Sequence, residues 1–118
     1  MAYTHGTLEN RIMNVIWEIE ENAPQGETPL CSVTVVLTKM NETGNSRAYT
    51  TVKTVMDRLV NKNLLVRGRL GKKFSYSSTT SRINMAKEAI ESLADQYFHG
   101  NIAEMSKAIE KEYASVLV

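Results

Sequence analysis

Between Gly44 and Lys73 the chain carries eight basic side chains (Arg47, Lys53, Arg58, Lys62, Arg67, Arg69, Lys72 and Lys73) against one acid, Asp57. That is a local charge of +7 in a protein whose net charge is +1, because residues 1–43 contribute −4 and residues 74–118 contribute −2. Hydroxyls are interleaved with the cations at Tyr49, Thr50, Thr51 and Thr54. Cations bind phosphate oxygens, hydroxyl and ammonium donors reach base edges, and threonine methyls can meet the methyl of thymine. The chemistry on offer is recognition of a polyanion, nucleic acid above all. A basic block taken alone is as often a solvated face with no partner. Where the charges fall on the structural elements decides between the two.

Catalytic and metal chemistry find little support. The two histidines, His5 and His99, lie near a terminus and a helix end, and neither stands at metal-ligand spacing from a cysteine or carboxylate. No nucleophile elbow, zinc-protease, Walker or dinucleotide motif occurs, and Gly68 and Gly71 read as turn glycines rather than a phosphate loop. No enzyme activity, metal or cofactor is expected. The single cysteine, Cys31, excludes an internal disulfide framework and fits a reducing, cytoplasmic setting, most simply as a small buried apolar residue.

The positioning elements can be read from periodicity. Thr7 is a plausible N-cap for a first helix whose stripe is Leu8, Ile12, Val15, Ile16 and Ile19; Trp17 falls off that stripe and is expected to pack on a neighbouring segment. Pro24, Gln25 and Gly26 break it. Glu27 to Cys31 is extended, and Ser32 caps a short second helix with Val33, Val36, Leu37 and Met40 on one face. Asn41 to Asn45 make a turn, with Gly44 or Asn45 available for positive φ.

A third helix runs from about Ser46–Tyr49 to Lys62, burying Val52, Val55, Met56 and Leu59 and presenting Thr50, Lys53, Thr54, Asp57 and Asn61 on the other side; Asn63 stops it. Leu64 to Arg69 and Phe74 to Ser78 then bracket a glycine-containing basic tip, which reads as a β-hairpin. Ser81 caps a long helix whose residues Ile83, Ala86, Ile90, Leu93 and Tyr97 are spaced 3, 4, 3 and 4, a coiled-coil-like seam. Gly100 ends it, and Asn101 with Glu104 starts a last helix with Ile102, Met105, Ile109 and Tyr113 on one face.

Helix, helix, turn, helix and basic hairpin is the order of a winged helix-turn-helix. The expected fold is therefore mainly α with a small β-hairpin, a winged helix-turn-helix followed by a two-helix dimerisation arm. Its expected parts are a DNA-binding domain over 1–78 and a helical dimerisation region over 79–118. The DNA contacts would be Arg47, Tyr49, Thr50, Thr51, Lys53, Thr54 and Arg58 on and before the third helix, with Arg69, Lys72 and Lys73 at the wing tip. Each has a bland alternative. Helix-start threonines commonly bond to backbone, Tyr49 can be a partly buried staple, and Arg58, Lys72 and Lys73 can be plain solubility charges. For Lys62 a solvated surface charge is the preferred reading. The seam at Ile83, Ala86, Ile90, Leu93 and Tyr97 has more apolar residues than a lone helix pair can hide, which fits a dimer contact. The alternative for that seam is intramolecular packing on Trp17.

Several stretches resemble the penicillinase-repressor/methicillin-resistance-repressor family of winged-helix regulators. Leu8 to Trp17 is similar to the family's opening L-x-x-x-I-M-x-x-(L/I)-W, and Ser32-Val33 through Val36 and Met40 resembles its second helix. Ala48 to Leu65 looks very like its recognition helix, and Phe74 to Ser77 like the strand that closes its wing. The likeness spans roughly residues 7 to 105. It implies a homodimer that binds a promoter palindrome in double-stranded DNA and represses transcription, with Ile102, Met105 and Ile109 of the last helix joining the seam in the dimer contact. No membrane partner is expected, because no run approaches the ~18 apolar residues a membrane helix needs. This sequence departs from the pattern in places. The turn Asn41 to Arg47 is slightly long, and the chain ends early, at Val118, which is expected to trim the dimer contact. Lys107-Ala108-Ile109 stands where antibiotic-responsive members have a cleavable Asn-Phe bond, and the paired C-terminal Cys-x-Cys motifs of copper-responsive relatives are absent. An upstream sensor or protease is therefore left unidentified. The rivals are a winged-helix module for protein partners, which would carry apolar residues on the exposed side of the third helix, and an effector-sensing regulator with a ligand pocket.

Overall fold

The computed structural model describes residues 6–117; His5 and Val118 lie outside them. In chain order the elements are α1 (Thr7–Glu21), α2 (Val33–Glu42), α3 (Tyr49–Asn61), β1 (Leu65–Leu70), β2 (Lys73–Ser78), α4 (Arg82–Tyr97), α5 (Ile102–Glu112) and α6 (Ala114–Leu117). Three helices, a hairpin and further helices make the mainly helical, winged helix-turn-helix architecture that the periodicity implies. The described residues form two compact units, 6–82 and 83–117.

In the first unit α1, α2 and α3 pack on one another, and the hairpin packs on α1 and α3. The side chains of Ile12, Ile16, Val36, Met40, Val52, Met56 and Leu59 are at most 1% exposed at the centre. Each such residue contributes about 1.5–3 kcal/mol of burial free energy.

α1 is rotated from the expected stripe. Its buried residues are Glu9, Ile12, Met13, Ile16 and Trp17, whereas Leu8, Val15 and Ile19 are only half-buried. The shift is close to one residue step, about 100°. Its cause is tertiary: the inward face includes Glu9, paired with Lys62, and Glu20, which accepts from Ser78 N and Oγ at 2.9 and 2.5 Å. A stripe counted on apolar residues alone cannot include acids whose partners lie far along the chain. Trp17 packs as expected on a neighbouring segment, its Nε1 donating to Thr80 O at 2.9 Å with the Arg82 guanidinium 5.9 Å from its ring. The N-cap is Gly6 rather than Thr7, with Gly6 N–H donating to Glu9 Oε1.

Ser32 caps α2 by accepting from Val35 N at 3.2 Å. α2 extends over Asn41 and Glu42, one turn's fraction further than expected, and then closes in a Schellman motif. Gly44 takes φ +80° there, with Asn45 N donating to Met40 O and Gly44 N to Asn41 O. α3 ends the same way at Asn63, φ +62°, with Leu64 N donating to Leu59 O and Asn63 N to Val60 O. These two closures set the turn before α3 and the step from α3 into the wing.

The hairpin is antiparallel, pairing Leu65 with Ser78 through Leu70 with Lys73. Its turn is therefore Gly71-Lys72 alone, tighter than the expected four residues. Gly71 has φ +66°, as a two-residue turn with glycine first requires. The extended stretch before α2 docks on the other edge of β2, Tyr76 N donating to Cys31 O at 2.8 Å. Cys31 is fully buried, and burial, reinforced by Glu20, pushes its thiol up to about 12. It sits there as a small apolar residue.

The second unit holds α4 after Arg82, α5 and α6; the last helix, expected to carry Tyr113 on its face, stops at Glu112, with Tyr113 as its C-cap before the short α6. Asn101 caps α5, its side chain accepting from Glu104 N at 3.0 Å. Ala94 and Met105 are buried, but Ile83, Ile90, Leu93, Tyr97, Ile102 and Ile109 are 41–72% exposed.

Candidate nucleic-acid interface

The buried stripe of α3 dictates what its other side shows. With Val52, Val55, Met56 and Leu59 turned inward, 3.6-residue periodicity puts Thr50, Thr54, Asp57 and Asn61 along the opposite ridge. Thr50, Thr54 and Asn61 are exposed, and Asp57 is half-buried. Lys53 and Tyr49 flank the ridge on one side, Thr51 and Arg58 on the other. Tyr49 is 48% exposed, so it is not a buried staple. Arg47 precedes the helix and turns its guanidinium onto Ser46 O at 2.8 Å.

The wing stands beside this ridge. Strand alternation sends Leu65, Arg67 and Arg69 to one face with their partners Ser78, Tyr76 and Phe74. Both arginines lie over the Phe74 ring, their guanidinium carbons 4.5 Å from its centroid for Arg67 and 4.9 Å for Arg69, which is cation–π distance. Lys72 and Lys73 are exposed at the tip.

Wing and helix are tied at Asp57. Lys53 Nζ donates to its Oδ2 at 2.7 Å, while Arg67 and Tyr76 OH donate to its Oδ1 at 3.0 and 2.9 Å. Tyr76 is 1% exposed, and a buried phenol needs such a partner. Partial desolvation pushes the Asp57 carboxyl up, but hydrogen bonds from Lys53 and Tyr76 and the charges of Lys53 and Arg67 outweigh it and hold the group below 3.8. Burial and the Asp57 hydrogen bond push Tyr76 up to about 12.

A cleft of about 330 Å³ opens between the start of α2 and this assembly, lined by Ser32, Val33, Thr34, Tyr49, Lys53, Lys72, Lys73, Phe74 and Tyr76. It gathers three cations at a helix N-terminus, where unpaired backbone N–H groups favour anions. Tyr49, Lys53, Lys72 and Lys73 thus share one wall-to-wall site, Thr50 and Thr54 form the adjacent ridge, and Arg47, Thr51 and Arg58 do not line the cleft. Lys62 is exposed, as a surface charge should be, but its Nζ also ion-pairs with Glu9 at 2.7 Å and ties the end of α3 to α1. Asp57, Arg67 and Phe74 belong to the site although sequence reasoning left them out. The i, i+4 spacing of Lys53 and Asp57 was a usable signal for one link; the links to Arg67 and Tyr76 cross to another element and leave no trace in spacing.

Among the residues expected at a dimer contact, Ala86, like the six apolar residues already named, is exposed, whereas Met105 is only 5% exposed.

Two solved structures, described as the complex structures of hsRosR-S4 and hsRosR-S1, share the fold. Each aligns with a TM-score of 0.56 at 16% identity over 97% of this chain, and over 93% and 96% of those chains respectively. Comparison with curated proteins gives no match. The sequence profile described as "Penicillinase repressor" matches residues 5–115. With that match extending from the first helix through the wing and into the last helices, the chain belongs to the penicillinase repressor family of winged-helix transcriptional regulators, which are not enzymes.

Proposed function

We propose that the protein is a sequence-specific repressor that binds a palindromic operator in double-stranded DNA as a homodimer. The observation that carries this reading is the outward ridge of α3, hydroxyl-bearing and free of large apolar side chains, beside a lysine-tipped wing. A ridge of that width suits the major groove. Thr50, Thr54 and Lys53 would read bases, Lys53 keeping two N–H donors beyond the one given to Asp57. Tyr49, Thr51, Arg47 and Arg58 would hold the flanking phosphates, and Arg69, Lys72 and Lys73 would follow the backbone or a minor groove. Residues 1–78 would form the DNA-binding part and 79–118 the dimerisation part. The exposed apolar residues of α4 and α5 support the latter, since a face of that kind is commonly covered by a second copy. No helix among the described residues is long and apolar enough to cross a membrane, and a regulator of this kind would act in the cytoplasm.

Fluorescence anisotropy on the intergenic DNA upstream of the gene tests the reading. An inverted repeat with half-sites about 10 bp apart, or a multiple of that, is the expected target. Thr54→Ala should weaken binding to it by ~1–3 kcal/mol while leaving scrambled DNA unaffected, whereas Lys72→Ala should weaken every sequence alike. Equal affinity of all three proteins for all duplexes refutes the assignment.

A further inference from the structure

We propose that Asp57 is a specificity-determining residue: it holds Lys53 and Arg67 back from indiscriminate phosphate binding while keeping both aimed from the DNA-facing side. The inference rests on the reading of α3 and the wing as a DNA-binding surface.

Asp57 is the one acid in a thirty-residue block of charge +7, and it stands on the outward ridge of α3 between Thr54 and Asn61. A carboxylate there faces the phosphates of any bound duplex and weakens binding to all of them alike. Its placement is not that of a loose surface acid. Both oxygens are engaged, Oδ2 by Lys53 on its own helix and Oδ1 by Arg67 of β1 and Tyr76 of β2. Tyr76 is anchored by its buried ring, so the phenol fixes the carboxylate and the carboxylate in turn fixes both cations. Arg67 is held a second time by the Phe74 ring.

The three charged groups together carry one positive charge instead of two. Non-specific affinity scales with the phosphates neutralised, so the acid subtracts from it. Base-edge bonding draws instead on directed N–H donors, and Lys53 and Arg67 retain unused donors in fixed orientations. What a regulator needs is the ratio of specific to non-specific binding, and lowering the second raises that ratio.

The test measures affinity against salt concentration on two probes: a duplex of scrambled sequence, and a duplex recovered from a random pool by selection with the wild-type protein. Asp57→Asn is expected to bind the scrambled duplex more tightly at low salt, with the slope of log affinity against log salt steeper by ~0.9, the value of one further phosphate. The ratio of selected to scrambled affinity should fall, and Asp57→Glu should restore the wild-type slope, which a purely structural defect would not allow. Should Asp57→Asn fail to fold, Asp57→Ser addresses the same claim, because it removes the same charge with a smaller side chain and should steepen the scrambled-duplex slope by the same ~0.9. An unchanged slope in whichever of the two variants folds overturns the proposal. If wild-type protein still binds the selected duplex with salt-dependent affinity, that result leaves the DNA-binding reading standing. Wild-type protein that binds no duplex overturns both.

Discussion

Glu9 is 6% exposed, and its two oxygens are taken up by Lys62 Nζ at 2.7 Å and by Gly6 N–H at 3.3 Å. A carboxylate this far from water is tolerable only when matched by donors. Its loss unpairs Lys62 and opens space against α1. Glu9→Ala should therefore destabilise the protein by about 1–3 kcal/mol, read as a lower urea midpoint at unchanged slope. A change confined to DNA affinity, with the midpoint unmoved, would contradict the structural role. Nothing near Glu9 or Lys62 in the chain announces this pair, because the partners are 53 residues apart; Lys62 consequently reads from sequence as a solvated charge. Asp57 presents the same situation at the interface, with one link visible as an i, i+4 spacing and two that only the folded chain creates.

At the scale of elements, the wing is attached to α3 by groups that titrate, and the attachment has a pH range. The Tyr76 phenol ionises near 10.0 in the unfolded chain and at about 12 in the fold, first because it is desolvated and then because it donates to Asp57. A raised acid constant means that the folded state keeps the proton longer. The stabilisation is therefore complete below pH 10.0 and is lost as pH climbs towards 12. Thermal unfolding of wild-type protein and Tyr76→Phe across that range should show wild type losing more of its melting temperature, since the variant has no phenol to ionise. Parallel curves would detach Tyr76 from the effect. Asp57 works in the opposite direction. Its constant is lowered below 3.8, so its contribution is present above that value and disappears as pH falls through the folded constant. The hairpin and the buried stripe of α3 were legible because each is a local pattern, a turn glycine between β-prone runs and an apolar i, i+3, i+4, i+7 repeat. The buried face of α1 was not, because two overlapping apolar stripes compete, one with Met13 and Trp17 and one with Leu8, Val15 and Ile19, and the distant partners of Glu9 and Glu20 accompany the first.

For the whole molecule, the consequential feature is the apolar surface of the C-terminal unit, with Ile83 66% and Tyr97 72% exposed. Under the proposed function a second copy covers it. Ile90→Asp, on a residue 41% exposed in the described chain, should convert a dimer to a monomer in sedimentation velocity. It should also lower affinity for an inverted repeat by roughly tenfold or more, as the second half-site is no longer tethered to the first. Melting of the first unit should be untouched, because Ile90 lies outside it. A wild-type protein that sediments as a monomer, free and on DNA, would remove this face from the dimer reading. Met105 does not belong to the same exposed set, being 5% exposed. Helical spacing put it in line with Ile102 and Ile109, but spacing says which residues share a face and not how far a neighbouring segment covers it.

By itself the sequence determined the order and type of the elements as far as α5, the inward stripe of α3, the Ser32 and Asn101 caps, the concentration of positive charge in residues 44–73 and the family. These follow from interactions between residues a few positions apart, or from composition, both of which are written along the chain. Only the tertiary structure decided which way α1 faces, that Lys62 is paired, how tight the wing turn is and that Asp57 binds three donors from three elements. Such contacts depend on where a distant segment comes to rest, and spacing within a segment carries no record of it.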